Sequence, residues 1–290
     1  MDVLIQSISP ASGIAIVSAE LGATADVLRR RHHSGPVMAC FLAQALASAA
    51  LLSADLSDED ERVSVQLRVS GPAGGCFADA STDGSLRGYT DRKVLERPHG
   101  HKVADLSAAL GSRGLLTVIH SDRHRVIASG QVAATPPDLR TALARYYNSS
   151  LRRPAAVELL TRTGGQGIAR AAALLAVKMP GGNSDTFVGV LERFQDRTAL
   201  KALAEGCPHE GYGNLFALDD LRAILQRNLR FSCSCSRGKF LTSLAGLPEN
   251  ERRALLNSRQ PQTVTCNLCG KNYSLPFTDL RDAIACTHKT

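Results

Sequence analysis

Apolar and polar positions along the first part of the chain predict two consecutive helices. Thr24 to Arg31 has the pattern of a helix, and Ser34-Gly35-Pro36 then supplies a cap and a first-turn proline for a second one. The second helix covers the most apolar run of the chain, Val37 to Leu52, which only Gln44 and Ser48 interrupt. This run is shorter than the roughly 20 residues that a membrane helix needs. We therefore expect a central, buried helix.

Beyond an acidic stretch from Asp55 to Glu61, which we interpret as an exposed loop, the pattern changes to that of strands. Apolar residues alternate with polar ones from Val63 to Val69, the period of a half-buried strand, and Gly71-Pro72 ends the run. Further short strand-like runs, separated by turn signals, are Gly75 to Ala78, Ser85 to Tyr89, Leu115 to Ile119 and Val126 to Val132. Strands spaced this closely indicate antiparallel pairing.

The first domain is expected to end near residue 180. A helix from about Pro137 to Tyr147 precedes a nearly apolar stretch from Ile168 to Met179, and Pro180-Gly181-Gly182 follows directly. Residues 1–180 are thus predicted to form an N-terminal core domain.

The segment 181–228 is predicted to be a helical linker. Its helix candidates are Ser184 to Ala204 and Asp219 to Gln226, joined by a loop rich in glycine, proline and other breakers. Its apolar residues are too few for a core of its own, so we expect it to pack on another part of the chain. Residues 229–290 then form a small C-terminal module. The predicted fold class is α+β: an N-terminal α/β core with antiparallel sheets and a buried helix, a helical linker and the small C-terminal module.

Composition agrees with a folded domain in a reducing compartment. The chain has 290 residues, 44% of them hydrophobic, no Trp and 4% aromatic residues, so its core is built mainly from Ala, Leu, Val and Ile. The N-terminus carries Asp2 where a secretory signal has basic residues, and no long apolar segment follows it. We expect a cytoplasmic protein, or one of an organelle matrix. Its 8 Cys are then free, bound to metal or redox-active rather than part of a static disulfide framework.

Net charge raises the question of a nucleic-acid partner. The chain carries +7 with a sequence pI of about 9.1, but the basic residues are scattered, and the densest cluster is Arg29 to His33. A solvated helix end explains that cluster, since no aromatic or glycine-rich recognition motif accompanies it. Nucleic acid is therefore not the favoured partner.

Four cysteines near the C-terminus carry the strongest chemical signal. They form two pairs, Cys233-Ser234-Cys235 and Cys266-Asn267-Leu268-Cys269, and four thiolates complete a closed tetrahedral zinc site. The second pair resembles a zinc knuckle. Gly270 can take the left-handed conformation that turns backbone amides toward the sulfurs, and the flanking residues have hairpin character. The single residue between Cys233 and Cys235 is unusual for a zinc ribbon. Two thiols so close together in the chain can also oxidise to a disulfide with each other.

These cysteines permit a purely structural zinc site or a folding switch. A module of this size has little core, and structural zinc contributes about 10–16 kcal/mol of apparent binding free energy in zinc-finger peptides, so loss of the metal should unfold it. Oxidised sulfur is a far poorer ligand, and a disulfide in a small strained ring is readily reversed by cellular reductants. A zinc-ribbon nucleic-acid binder and a thiol oxidoreductase using Cys266 and Cys269 remain as alternatives.

At these residues the chain resembles the 33-kDa heat-shock protein family of redox-regulated, ATP-independent holdase chaperones. The cysteine signature of that family matches Phe231 to Arg237 and Val264 to Gly270. Further segments in the order of the family are Pro36-Val37 leading into Leu46 to Leu56, Val65-Gln66-Leu67 with Gly71-Pro72, Ala78-Asp79-Ala80 with Asp83 to Tyr89, and Ala172 to Pro180. Gly238, Leu268 and the linker from Gly181 to Asn228 depart from the usual pattern.

The resemblance implies a mechanism. It implies a reduced, inactive monomer with one zinc ion on Cys233, Cys235, Cys266 and Cys269. Oxidation is then expected to pair Cys233 with Cys235 and Cys266 with Cys269, to release zinc and to unfold the module and the linker. The exposed apolar surface is then expected to hold unfolded or partly folded client proteins under oxidative stress, and the active form is expected to be a homodimer. Residues 1–180 are accordingly the candidate client-binding and dimerisation domain.

Other candidate residues are weaker. Cys40 and Cys76 lie in apolar surroundings and are expected to be inert core thiols. Cys207 precedes Pro208-His209, and activation by the imidazole is less expected than an ordinary loop thiol. Cys286 and His288 could compete as ligands, but four ligands are already present. No Ser/His/Asp set, carboxylate pair or nucleotide loop is recognisable, so we do not expect an enzyme.

Overall fold

The chain forms two compact units, Met1–Ser232 and Cys233–Thr290. The computed structural model describes residues 2–95, 106–165 and 167–287. It places the predicted linker, residues 181–228, inside the first unit. The functional boundaries proposed from the sequence, at 180 and 228, stay predictions.

Strands and helices are interspersed along the described chain. The strands are β1 (Val3–Ser9), β2 (Ile14–Glu20), β3 (Arg62–Val69), β4 (Gly75–Ser81), β5 (Ser85–Thr90), β6 (Gly114–Ser121), β7 (Val126–Ala134), β8 (Ala155–Gly164), β9 (Gly167–Lys178), β10 (Arg222–Asn228), β11 (Arg230–Phe231), β12 (Gln262–Thr265) and β13 (Asn272–Leu275). The α-helices are α1 (Gly22–His32), α2 (Pro36–Leu52), α3 (Leu106–Leu110), α4 (Leu139–Arg145), α5 (Ser184–Gln195), α6 (Thr198–Glu205), α7 (Gly211–Phe216), α8 (Arg237–Ala245), α9 (Glu249–Ser258) and α10 (Phe277–Thr287).

Two sheets build the first unit. Five strands form one sheet in the order β10-β1-β2-β9-β8, and all its neighbours are antiparallel. The other sheet has the order β11-β5-β4-β3-β6-β7, in which only the short β11 runs parallel to its neighbour. The predicted antiparallel pairing of the closely spaced strands is confirmed.

Helix α2 is the centre of this unit, as predicted. It contacts strands of both sheets, and its apolar side chains, among them Phe41, Leu46 and Leu51, have no exposed surface. Gly35 caps its first turn and Pro36 occupies the first helical position, where the missing N–H has no partner to lose. By length and composition the segment Pro36–Asp55 could cross a membrane, but it is mostly buried inside the fold. Its apolar composition is therefore that of a core helix.

A second cluster covers the opposite face of the five-stranded sheet. Helices α5, α6 and α7, the docked helices, pack on a docking face made of Ile14, Ile16, Ala172, Leu174 and Ala176. The docked helices contribute Phe187, Val190, Ala199, Leu203, Tyr212 and Phe216 to this cluster. The predicted linker thus packs on the core sheet rather than forming a core of its own.

Polar contacts fix the same segment in register. His209 is 9% exposed and lies between two serine hydroxyls, with Nε2 2.5 Å from Ser7 Oγ and Nδ1 2.6 Å from Ser18 Oγ. Asp220 accepts hydrogen bonds from Ser9 Oγ at 2.5 Å and from the backbone N–H of Ala11 at 2.7 Å. These partners are directional, so they select one position for the segment on the sheet.

One predicted helix is wrong. Asp219 to Gln226 was expected to be helical, but Arg222–Asn228 is strand β10, which pairs with β1 from Val3 opposite Asn228 to Ile8 opposite Arg222. Its residues include good helix formers, and the pairing with a distant strand overrides that local preference. The other predicted helix of this segment divides in two at Arg197, whose φ is 65°.

Candidate metal centre

The second cysteine pair lies in the turn of a hairpin, as predicted. Strands β12 and β13 pair antiparallel, with Thr265 opposite Asn272. Between them the N–H of Gly270 donates to the carbonyl of Cys266 at 2.8 Å, and the N–H of Cys266 donates to the carbonyl of Lys271 at 2.9 Å. Gly270 has a φ of 71°, the left-handed conformation expected of it. The turn presents Cys266 and Cys269 from one side.

The first pair lies directly before helix α8. Ser236 caps this helix by accepting a hydrogen bond from the N–H of Lys239 at 3.3 Å. The segment that carries Cys233 and Cys235 therefore leads directly into a capped helix start. Within the second unit, α8 contacts both β13 and α10, which places the pair beside the hairpin.

The four sulfurs form one group. All four lie within 4.8 Å of one another. Cys235 Sγ is 3.4 Å from Cys269 Sγ, and Cys233 Sγ is 3.9 Å from Cys266 Sγ. Four sulfurs at a zinc–sulfur distance of about 2.3 Å in a tetrahedron are roughly 3.8 Å apart. The cluster could hold a metal ion, and its donor set and spacing fit zinc.

Hydrogen bonding differs between the members of the cluster. Burial raises the pKa of Cys266 and of Cys269, against the opposing effect of the backbone amides of Leu268 and Lys271. Burial also opposes ionisation of Cys235, but hydrogen bonds from Tyr273 and the other sulfurs outweigh it and lower its pKa to about 7. Cys235 is therefore the member whose surroundings favour the thiolate, the form that binds metals and reacts with oxidants.

Tyr273 was not recognised as a site residue from the sequence. Its Oη lies 3.1 Å from Cys235 Sγ and 3.0 Å from the Cys235 carbonyl oxygen. Its ring packs against Phe240, with 5.1 Å between the centroids. The available signal was an aromatic residue with a hydroxyl group just beyond the knuckle, in a chain with only 5 Tyr.

The remaining cysteines that the structure describes lie outside the cluster. Burial raises the pKa of Cys40 and of Cys76, in line with their expected inertness. Burial also raises the pKa of Cys207, and the imidazole of His209 contacts two serines instead of this thiol. The side chain of Cys286, and His288, lie outside the described residues.

Comparison with known proteins points to one family over nearly the whole chain. The family model described as Hsp33 protein matches residues 2–276. A 33 kDa chaperonin of Symbiobacterium thermophilum is 30% identical over 276 residues, which cover 94% of this chain and 93% of that protein. One of Thermosynechococcus vestitus is 28% identical over 279 residues, with 94% and 93% covered.

A solved structure has the same fold. The 33 kDa chaperonin (heat shock protein 33 homolog) of Thermotoga maritima superimposes with a TM-score of 0.86. The match covers 100% of this chain and 99% of that one at 17% sequence identity. The two-sheet first unit and the cysteine-containing second unit are thus both part of an established architecture.

Proposed function

The chain belongs to the Hsp33 family of chaperones, and we propose that it is a redox-regulated, ATP-independent holdase whose activity is controlled by the four-cysteine cluster. Members of this family are chaperones rather than enzymes, and a chaperone binds unfolded client proteins. Zinc control, disulfide formation and the order of events are the parts that we propose.

In the reduced state, Cys233, Cys235, Cys266 and Cys269 would hold one zinc ion as thiolates. A zinc ion bound there would supply no redox chemistry; through it the four thiolates would cross-link two chain segments and keep the unit folded. Two features support this role: the four sulfurs converge within 4.8 Å, and the second unit has little apolar core to replace them. The reduced protein is then inactive because its folded state is the stable one.

A peroxide can oxidise this cluster to disulfides in two steps for each pair of thiolates. One thiolate attacks the peroxide, becomes a sulfenic acid and releases hydroxide or an alkoxide, which takes up a proton from solvent. A second thiolate displaces hydroxide from that sulfur, which completes a two-electron oxidation to a disulfide. We propose that the pairs are Cys233 with Cys235 and Cys266 with Cys269. Two disulfides consume two peroxides and remove all four thiolate ligands, so the metal leaves.

Client binding would then use the apolar surface that the docked helices cover. The segment 181–228 ends just before Cys233 in the chain. We propose that unfolding of the second unit would release this segment from the core sheet. Undocking of α5, α6 and α7 exposes the docking face, together with helix residues such as Phe187 and Phe216. An apolar surface of this kind binds unfolded polypeptides and can also support the homodimer that we propose for the oxidised protein.

The observation that carries this proposal is the convergence of four thiols in the unit with the smaller core. Its test measures zinc release, thiol state and client aggregation together, before and after peroxide with mild heat. We expect one zinc per chain in the reduced protein, its release on oxidation, and suppression of aggregation by the oxidised form alone. Cys207→Ser should behave like the wild type, since that thiol lies outside the cluster.

Three outcomes would contradict the proposal. Zinc release without suppression of aggregation would separate the cluster from chaperone activity. Equal suppression by the reduced protein would remove the redox control. Salt-dependent binding of RNA or DNA by the reduced protein, with no holdase activity, would instead support the zinc-ribbon alternative.

A further inference from the structure

The two cysteine pairs receive their hydrogen bonds from different sources. Backbone amides serve the knuckle, with the N–H of Leu268 directed to Cys266 and the N–H of Lys271 to Cys269. In the first pair, the sulfur of Cys235 has the hydroxyl of Tyr273 at 3.1 Å. A backbone amide persists whatever the side chain is. The corresponding contact of Cys235 depends on one residue.

Tyr273 is held in position from several directions. It lies on strand β13 opposite Val264, which fixes its backbone. Phe240 of helix α8 packs on its ring at 5.1 Å between centroids, and Lys271 Nζ lies 5.0 Å from the ring centroid on the same hairpin. The side chain is half-buried between these groups. Its hydroxyl is therefore presented to Cys235 by an ordered ring.

The hydroxyl has one proton and two acceptors within reach. It donates to the carbonyl oxygen of Cys235 at 3.0 Å, and a protonated Cys235 can itself donate to the phenol oxygen. On binding zinc, Cys235 would lose its thiol proton to solvent, and its sulfur could then only accept hydrogen bonds. The phenol proton then lies within hydrogen-bonding distance of both the carbonyl oxygen and the sulfur.

We propose that Tyr273 is a positioning residue of the metal centre: its hydroxyl donates to the metal-bound sulfur of Cys235, tightens zinc binding and slows its release during oxidation. The inference rests on the proposed function, since it concerns the zinc-bound state. It assigns to a side chain in the first pair the task that backbone amides perform in the second. Groups that hydrogen-bond metal ligands typically change metal affinity by about 10–100-fold.

The test compares Tyr273→Phe with the wild-type chain and with Thr265→Val. The first change removes the hydroxyl and keeps the ring that packs on Phe240. The second removes the hydrogen bond from Thr265 Oγ1 to Asn272 Oδ1 at 2.7 Å, which lies on the same hairpin and joins two oxygen atoms. Zinc affinity is measured by chelator competition in reduced full-length protein, and zinc release by a chromogenic chelator after peroxide. Cobalt(II) substitution reports the sulfur directly.

We expect Tyr273→Phe to bind zinc at least tenfold more weakly and to release it faster, while its stoichiometry at saturating zinc stays at that of the wild type. Its sulfur-to-cobalt charge-transfer band should move to longer wavelength, because a thiolate without a hydrogen bond gives up charge more easily. Thr265→Val should leave affinity and band unchanged. Equal affinity, release rate and band position in Tyr273→Phe would overturn the inference. Absence of zinc from the wild type would instead overturn the proposed function.

Discussion

The two units of this chain are stabilised in different ways. Both hydrophobic clusters lie in the first unit, one around α2 and one between the docked helices and the docking face. Within the described part of the second unit, the buried residues are Ala245, Cys266, Cys269, Leu275, Leu280 and Ile284. The first unit has a large packed hydrophobic core. The second unit has few buried residues, and its helices and single hairpin surround four sulfurs.

This difference determines how the stability of each unit responds to the loss of one side chain. Burial of apolar surface scales with size, so a domain of the length of the second unit is marginal without a metal or another cross-link. Two of its few buried residues, Cys266 and Cys269, are members of the cluster itself. Loss of one ligand should therefore unfold the whole second unit, whereas loss of one side chain in the first unit should only weaken it.

The largest expected effect follows from removing a ligand. Cys269→Ser should abolish stoichiometric zinc binding in reduced protein and unfold the second unit, because about 10–16 kcal/mol of metal-binding free energy holds such modules folded. Amide hydrogen exchange resolved by peptide is the measurement: peptides from 237–285 should lose protection, while those from α2 keep it.

Cys40→Ser is the matched control, since it makes the same substitution at a half-buried thiol outside the cluster. It should keep both zinc and protection. A second unit that stays protected in Cys269→Ser, or after chelation of zinc, would show that its few apolar contacts suffice and would break the comparison.

An intermediate effect is expected in the core of the first unit. Leu46→Ala in α2 removes a side chain with no exposed surface, so it should lower the free energy of unfolding of this unit by about 2–5 kcal/mol. Zinc content should not change. Denaturant titration, followed by circular dichroism, measures the loss.

Val188→Ala provides the surface reference for that measurement. Val188 lies on α5 with 53% of its surface exposed, so its truncation should cost no more than about 0.5 kcal/mol. Loss of zinc from Leu46→Ala would show that the stabilities of the two units are coupled.

The sequence predicts the centre of each unit better than its edges. Helix α2 can be predicted because its apolar residues form one short continuous run. The four cysteines can be predicted as a site because thiols at this spacing have a distinctive chemistry. The sequence pattern predicts no strand at β1, β2 or β8, and at β9 it indicates only an apolar stretch. A strand buried on both faces, such as β9, shows no alternation by which to recognise it.

Contacts between distant residues explain the rest. β10 was predicted as a helix because its pairing with β1 is invisible to local propensity. The serine partners of His209 lie far from it in sequence, with a separation of 202 residues for Ser7. Tyr273 reaches Cys235 only after the hairpin and the start of α8 meet. Each of these needs the tertiary fold before its role can be seen.

The smallest expected effect concerns pH and the docked helices. Burial lowers the pKa of His209 below its ordinary value of 6.5, although the neighbouring Glu210 acts in the opposite direction. Above about pH 6.5 the imidazole is neutral in both the docked and the released segment, so docking has its full stability. As pH falls below that value, the released segment binds the proton first, and docking weakens until the pKa of the docked form is reached.

Hydrogen exchange of peptides covering α6 and α7, corrected for intrinsic exchange rates, should therefore show more opening at pH 5.5 than at pH 7.5 in reduced, zinc-bound protein. One titrating group limits the change to at most about tenfold per pH unit. His209→Gln keeps a donor and an acceptor near Ser7 and Ser18 but does not titrate, so its opening should be the same at both values. If the acid-dependent opening persists in His209→Gln, another group is responsible. If opening falls with acid in the wild type, burial does not control the pKa of this histidine, and its protonation does not favour release of the segment.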